Sequence, residues 1–314
     1  LVVLSNNNED DPATVLVAHR LVSLSLLFQG QLTEAVQRLY AALALYDPQI
    51  HAGLENRFGQ DLGVTVHIYL RIVLMLLGNT READVHAQEA ERAALATRHP
   101  NTLCYAHLHL AMFALIQLDD IEAERHCATM MSIALEHRMA LYITYGRLLQ
   151  EVLAAGRGDK DSIARYMLED AVVLGSKTRL FVPQIRIEAC RRALTLGLGK
   201  QARELANMAE EMIEETGETM ALAELHRLKG ALALDAGDRH SAESSLNEAI
   251  TIAQRQSSKM WELRAAIDLA NLWHLSGRTH EAVALLEPMV ESIADGDCPQ
   301  DRATARAMLA ELTN

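Results

Sequence analysis

The sequence predicts an all-α fold: a right-handed superhelix of about seven antiparallel helix hairpins, closed by a C-terminal capping helix. Two observations predict it. Half of the 314 residues are hydrophobic but only 4% are aromatic, a balance typical of stacked helices whose seams are filled by leucine and small residues. A glycine–alanine pattern also returns about every forty residues, which indicates an array of similar units.

Each copy of the pattern has a glycine, an alanine five residues later, and small or apolar residues four and seven positions beyond the alanine. Glycine tolerates the left-handed conformation that ends a helix, so each glycine predicts the turn inside a hairpin. The alanine predicts where the two helices cross, because a larger side chain would push them apart. Five copies keep the glycine, at Gly30, Gly78, Gly197, Gly237 and Gly277. Two degenerate copies place Leu118 and Asp159 at that position.

These anchors place the helices in order along the chain. The predicted pairs are 13–29/32–46, 59–77/80–98, 101–117/120–137, 139–155/159–175, 180–197/199–215, 218–236/239–256 and 259–276/279–294, with a capping helix near 300–313. Residues 1–12 are expected to be a flexible leader and residues 13–314 one repeat domain. The longer first spacing predicts an enlarged loop over Asp47–Phe58. Because the chain begins with Leu1 rather than Met, we expect it to be a fragment of a longer protein.

Charge and cysteine content exclude several classes of protein. The net charge of −13 argues against a nucleic-acid-binding face, which needs clustered Lys and Arg. Four cysteines without a Cys-x-x-Cys motif argue against a disulfide framework or a zinc ribbon, so we expect core thiols and a cytoplasmic location. The most apolar stretch, Val64–Gly78, is shorter than a membrane span of roughly 20 residues and is interrupted by His67 and Arg71.

The repeat pattern resembles the tetratricopeptide repeat, in a variant with longer helices. Three stretches are also similar to the C-terminal repeats of large bacterial regulators: Gly59–Val64, Ala223–Gly230 and Trp261–Ala266. Those regulators place a class III adenylate/guanylate cyclase domain or a winged-helix DNA-binding domain, and then a signalling ATPase, before the repeats. The resemblance covers roughly residues 59–290. It implies a sensor or interaction arm whose effector domains lie outside this sequence.

No sequence motif predicts chemistry in this chain. The turns at Gly156–Lys160 and Gly197–Lys200 lack the spacing of a nucleotide-binding Walker A loop. His107 and His109 are two residues apart, so they point to different sides of a helix, and no His-Glu-x-x-His motif occurs. Cys190 has no evident base beside it. We therefore expect a protein that is not an enzyme, without catalytic residues, cofactor or metal.

The first helix of each pair is expected to line a concave groove. Its C-terminal half carries a row of both charges, which is typical of a solvated face and is also the candidate binding surface for a partner. This charged row consists of Arg191, Glu224, Arg227, Arg264, Asp268, Asn271 and His274. Its N-terminal half predicts an apolar interface consisting of Ile68, Ile72, Met75, Tyr105, Leu108 and Met112. Because exposed apolar patches mark interfaces, we expect a second subunit, the chain's own N-terminal segment or an apolar ligand to cover this row.

Two functions fit these observations. The first is a non-catalytic interaction and sensor module that contacts a protein partner or its own N-terminal effector domains, with a homodimer as a further option. The alternative is a domain that binds a small metabolite in the groove. Neither requires direct contact with nucleic acid or a membrane. Because Arg227 is expected to lie on the groove, Arg227→Ala should leave stability nearly intact and weaken partner or ligand binding.

Overall fold

The computed structural model describes residues 12–51, 53–175 and 180–313, and every regular element in these ranges is helical. The sixteen α-helices are α1 (Pro12–Phe28), α2 (Leu32–Leu45), α3 (Glu55–Phe58), α4 (Leu62–Leu77), α5 (Thr80–Thr97), α6 (Pro100–Ile116), α7 (Asp120–Glu136), α8 (Ala140–Gly156), α9 (Asp161–Gly175), α10 (Val182–Thr195), α11 (Gly199–Thr216), α12 (Leu222–Asp235), α13 (Arg239–Gln256), α14 (Lys259–His274), α15 (Thr279–Ser292) and α16 (Pro299–Leu312). A 3₁₀ turn, Thr219–Ala221, precedes α12.

The helices form the seven predicted hairpins, which confirms the all-α solenoid. The pairs are α1/α2, α4/α5, α6/α7, α8/α9, α10/α11, α12/α13 and α14/α15, and α16 caps the last pair. The predicted flexible leader lies outside the described residues, except for Pro12, which begins α1. No helix within the described ranges is long and apolar enough to span a bilayer.

The predicted glycine turns are confirmed by the backbone. All five anchor glycines have positive φ, between 71° and 94°. Leu118, which replaces glycine in the third hairpin, adopts the same left-handed conformation with φ 65°. The turn geometry is therefore kept even where a side chain makes it costly.

The fourth hairpin corrects the sequence-based register by one residue. Gly158, with φ 94°, makes the turn instead of Asp159. Ile163 and Asp170 are consequently buried in the hairpin. The row predicted to pack there consists of Ala164, Leu168 and Ala171, and all three are exposed. Neighbouring residues on a helix point about 100° apart, so a shift of one residue turns the whole row away from the contact.

The enlarged loop after the first hairpin contains the one-turn helix α3 and is anchored to the start of α4. The Tyr46 ring lies flat against Gly63, where a Cβ atom would come within 2.3 Å of the ring. The Tyr46 hydroxyl donates to the Asp61 carboxylate at 3.1 Å. Asp61 also caps α4 by accepting the Val64 N–H at 2.9 Å. Glycine is required at position 63 because the loop closes directly onto the helix.

The first helices of the hairpins pack side by side and form an inner layer, while each second helix keeps an exposed outer face. This inner layer closes on itself, because α14 of the seventh hairpin packs against α4 of the second. Several hydrogen bonds hold this junction, which we call the closure seam. Ser258 Oγ donates to the Leu76 carbonyl at 3.0 Å, Arg264 Nη1 to the Ile116 carbonyl at 2.8 Å, and the Cys298 N–H to Thr80 Oγ1 at 2.8 Å.

Side chains from distant hairpins fill the space inside the closed layer. The Phe181 ring, from the start of the fifth hairpin, packs edge-on against Phe28 of the first, with centroids 5.0 Å apart. It also contacts Phe113 of the third hairpin at 6.1 Å. The concave surface expected from an open superhelix is therefore largely converted into protein core.

Candidate functional site

Four residues of the predicted charged row meet on the inner layer. Arg227 of α12 bridges two carboxylates, donating to Glu224 at 2.6 Å and to Asp268 of α14 at 2.6 Å. Arg191 of α10 donates to Glu188 at 2.7 Å. Glu188 was absent from the sequence prediction, although its position three residues before Arg191 places the two on one helix face. We call Glu188, Arg191, Glu224, Arg227 and Asp268 the charged ladder.

The charged groups of the ladder are paired with one another. Burial by itself would raise the pKa of Glu224, which is only 1% exposed, but the positive charges of Arg227, Arg264 and Arg191 outweigh that effect and leave its pKa below the usual value. Burial likewise opposes the charge of Arg227, but its two carboxylate partners hold its pKa well above the usual value. Arg227 therefore joins α12 to α14 through Asp268, whereas Arg191 pairs with Glu188 within α10 and acts on Glu224 only through its charge.

The remaining three residues of the row lie elsewhere. Arg264 points into the closure seam, where Nε contacts both Asp301 oxygens at 2.9 Å. Asn271 and His274 are exposed near the end of α14, and His274 Nδ1 lies 3.1 Å from Thr279 Oγ1. The row predicted as one surface is thus divided into an internal ladder, a seam contact and an exposed helix end.

The apolar row is covered by the chain itself. Ile68, Ile72 and Met75 are fully buried, Leu108 and Met112 almost so, and Tyr105 is partly buried with its hydroxyl bonded to Tyr69. Neither a second subunit nor a ligand is needed to cover them, and the N-terminal helix α1 is among the elements that pack against α4. The reason is the closure of the inner layer, which a local hydrophobic pattern does not reveal.

The ladder also changes the expectation for Arg227. Truncating this side chain would leave Glu224 buried without its closest cation. Removing one partner of a buried ion pair is strongly destabilising. Arg227→Ala is therefore expected to lower stability, contrary to the expectation for a side chain lying free in a groove.

Several clefts lie at the surface formed by the described residues, and two of them lie against the second hairpin. The first, of about 180 Å³, lies at the closure seam and is lined by Thr80, Asp84, Arg264, Cys298 and Asp301 among others. The second, of about 290 Å³, lies between α5, α6 and α7. Sites for small organic ligands span roughly 300–1,000 Å³, so the first cleft is smaller than most of them and the second is at the lower limit of that range. We call the second the outer cleft.

Two histidine pairs were missed by the sequence analysis. His67 meets His86 across the second hairpin, and His107 meets His126 across the third, each with the two Nδ1 atoms 2.8 Å apart. The sequence analysis compared His107 only with His109 on the same helix, and did not consider partners across a hairpin. The signal was present in the repeat: both pairs have a spacing of nineteen residues and lie forty residues apart.

The hairpins, their left-handed turns and their alanine crossings together define a tetratricopeptide-like α-solenoid. No protein-family model matches the chain. An uncharacterized protein of Rhizobium meliloti is 28% identical over 263 residues, which is 79% of this chain but only 24% of that protein. Among solved structures, the crystal structure of yeast Tom70 aligns with 99% of this chain and 56% of its own, at 14% identity and a TM-score of 0.48. The chain thus spans about a quarter of the length of the Rhizobium relative.

Proposed function

We propose that this chain is a non-catalytic protein-interaction and sensor module of a larger bacterial signalling or transcription regulator. It would relay a signal to a cyclase, ATPase or DNA-binding part outside this sequence. The length of the Rhizobium relative, of which the chain matches 24%, supports such a larger protein. The filled interior leaves the outer helices as the surface for a partner.

The observation that carries this proposal is an exposed apolar pair on α9. Leu168 is 73% exposed and Val172 is 59% exposed. Because the two residues are four apart on a helix, their side chains share one face. Adjacent exposed apolar groups are typical of interaction sites. We propose that an effector domain of the same full-length protein packs on this face.

The thiols support a non-catalytic role. Burial raises the pKa of Cys104 to about 11 and that of Cys190 to about 12. Cys127 and Cys298 are buried free thiols as well. Nucleophilic cysteines need a lowered pKa and access to substrate, so these four groups fit packing roles.

Cross-linking mass spectrometry on the full-length protein tests the proposed contact. Cross-links from the α9 surface to a domain outside this sequence are expected, and Leu168→Ser/Val172→Ser should remove them. Ile121→Ser is the matched control, because Ile121 is 81% exposed but lies on α7. Cross-links confined to the solenoid, or equal loss in the control, would contradict the proposal.

A metabolite-sensing role in the groove is supported less well, because side chains such as Phe181 fill the interior and the seam cleft has a volume of only about 180 Å³. Its Arg264 and Asp301 side chains already bind each other. A thermal-shift screen with nucleotides, sugars and amino acids distinguishes the two functions, since a ligand that binds only the folded protein raises its melting temperature. A ligand-specific rise would favour the sensing role.

A further inference from the structure

We propose a transition-metal site, suited to Zn²⁺, formed by Glu91 of α5, His107 of α6 and His126 of α7. One donor atom of each side chain lies within 4.8 Å of the donors of the other two. Imidazole nitrogens and carboxylate oxygens are ordinary zinc ligands. Glu91 belongs to the second hairpin and both histidines to the third, so a bound ion would clamp two successive repeats.

The two imidazole rings already converge. Their Nδ1 atoms are 2.8 Å apart and the ring centroids 5.1 Å apart. Two nitrogens bound to one tetrahedral zinc ion at 2.0–2.1 Å lie roughly 3.3 Å apart. Small ring rotations would therefore open the pair enough to admit an ion, while Glu91 moves in as the third ligand.

The hydrogen bonds fix the proton positions in the ion-free pair. Arg125 Nη2 lies 2.9 Å from His126 Nε2, and a guanidinium can only donate, so Nε2 accepts. His126 then carries its proton on Nδ1 and donates to Nδ1 of His107. The lone pair of His107 Nδ1 thus already points into the site. The other ring nitrogen of His107, Nε2, is buried and has no hydrogen-bond partner among the described residues. The His107 ring is therefore hydrogen-bonded only through Nδ1, to His126.

Glu122 is placed to support the ion-bound state. Its Oε2 lies 3.7 Å from His126 Nε2. When Nδ1 of His126 binds an ion, the ring stays neutral and its proton moves to Nε2. This N–H then donates to Glu122, and Nε2 no longer accepts from Arg125. Histidine ligands of metals usually donate their second N–H to such an acceptor. In the ion-free protein, Arg125 donates to Glu91 at 2.7 and 3.1 Å and to the same Glu122 oxygen at 2.8 Å, so it must turn away from His126 when the ion binds.

The outer cleft gives the ion access and an attractive charge. Glu91 and His126 line this cleft of about 290 Å³. Four carboxylates and two guanidinium groups surround it, in addition to His126: Asp84, Glu91, Asp119, Glu122, Arg71 and Arg125. A surplus of negative charge raises the local concentration of cations. Water in the cleft can supply the fourth ligand that a three-ligand zinc site leaves open.

The second hairpin contains a natural control. His67 and His86 have the same Nδ1 separation of 2.8 Å and the same centroid distance of 5.1 Å. Within the described residues, however, only the third hairpin's pair has a third donor close enough to complete a site. A histidine pair alone should bind zinc weakly, so the difference between the two pairs isolates the contribution of Glu91.

Isothermal titration calorimetry with ZnCl₂ tests the site. One equivalent should bind the unaltered chain, His126→Gln should abolish this binding, and Glu91→Gln should weaken it by roughly a hundredfold. His67→Ala should change the affinity by less than about twofold. Tetrahedral Co²⁺ gives intense visible absorption, so CoCl₂ should produce these bands only where Glu91, His107 and His126 are intact.

Circular dichroism checks that each variant folds. If His126→Gln does not fold, Glu91→Gln decides, because its partly exposed side chain keeps its shape and loses only its charge. No binding by the unaltered chain would overturn the proposal. Equal weakening by His67→Ala would also overturn it, because the ion would then not be using the Glu91 site.

Discussion

At the scale of single residues, buried charges are matched by partners from neighbouring hairpins. The fully buried Asp170 of α9 pairs with Arg186 of α10 at 2.9 Å. Arg186 Nη1 also donates to the Met208 carbonyl at 2.7 Å. Sequence pattern marked Asp170 as part of a helix but did not indicate its partner, because the pair forms between repeats. Glu218 is the contrasting case, since no cation offsets its burial.

Glu218→Gln should therefore stabilise the protein at alkaline pH. Burial raises the pKa of Glu218 to about 7 from 4.5, although the Phe181 N–H that it accepts at 3.2 Å lowers it in part. The folded state thus binds the proton more tightly than the unfolded state. The stability this group contributes is fully present below pH 4.5 and is lost as the pH rises through 7. Glutamine has no charge to bury, so the variant should be more stable at pH 8 by at most about 3 kcal/mol.

Urea unfolding at pH 5 and pH 8 measures this effect. The difference in the free energy of unfolding between Glu218→Gln and the parent should become smaller toward pH 5. Glu214→Gln is the control, because Glu214 is exposed four residues earlier, and it should behave like the parent at both values. Equal stability of Glu218→Gln and the parent at pH 8 would show that Glu218 is not buried as a carboxylate.

At the scale of helices and hairpins, close helix crossings explain the composition. In the sixth hairpin, a Cβ atom at Gly230 would lie 2.8 Å from Leu246 Cγ, so α12 and α13 approach to the limit that small residues allow. Ala242 lies at the same crossing and is fully buried. Glycine turns and alanine crossings are local signals, which is why all seven pairs could be predicted. The register failed only in the fourth hairpin, where Gly156, Gly158 and Asp159 offer competing turn residues.

Ala242→Leu should therefore cost about 1–3 kcal/mol, because three added carbons must displace packed helices. Thermal and urea unfolding give the size of the loss. Ser244→Leu adds a side chain of the same size to an exposed position of the same helix, and it should leave stability nearly unchanged. Matching stabilities for Ala242→Leu and the parent would mean that the crossing lies elsewhere.

At the scale of the whole molecule, the closure seam decides which surfaces exist. Arg264 contacts the Ile116 carbonyl, which is 148 residues away in the sequence, and the Asp301 carboxylate, which is 37 residues away. The first contact holds the seventh hairpin on the third, and the second holds α16 on the seventh. The groove that an open array would offer is filled, which leaves the outer helices and the surface clefts as the accessible surfaces.

Arg264→Ala should open the seam and lower stability by about 3 kcal/mol, because it leaves Asp301 buried without its cation and the Ile116 carbonyl without its donor. Hydrogen exchange should quicken in α4, α14 and α16 before the middle hairpins. Arg255→Ala is the control, since Arg255 pairs with Glu248 at the exposed surface, and such pairs contribute about 1 kcal/mol or less. Uniform exchange in Arg264→Ala would mean that the seam does not open separately.

The sequence by itself determined the hairpins, their turns and the residues at their crossings. Each of these depends on helical periodicity and on glycine or alanine within a few residues. The tertiary structure alone decided that the apolar row is core, that Arg227 belongs to a ladder and that Glu91, His107 and His126 converge. The physical reason is cumulative: each hairpin is rotated slightly against the last. Only the sum of these rotations brings α14 into contact with α4. A local sequence pattern does not reveal this sum.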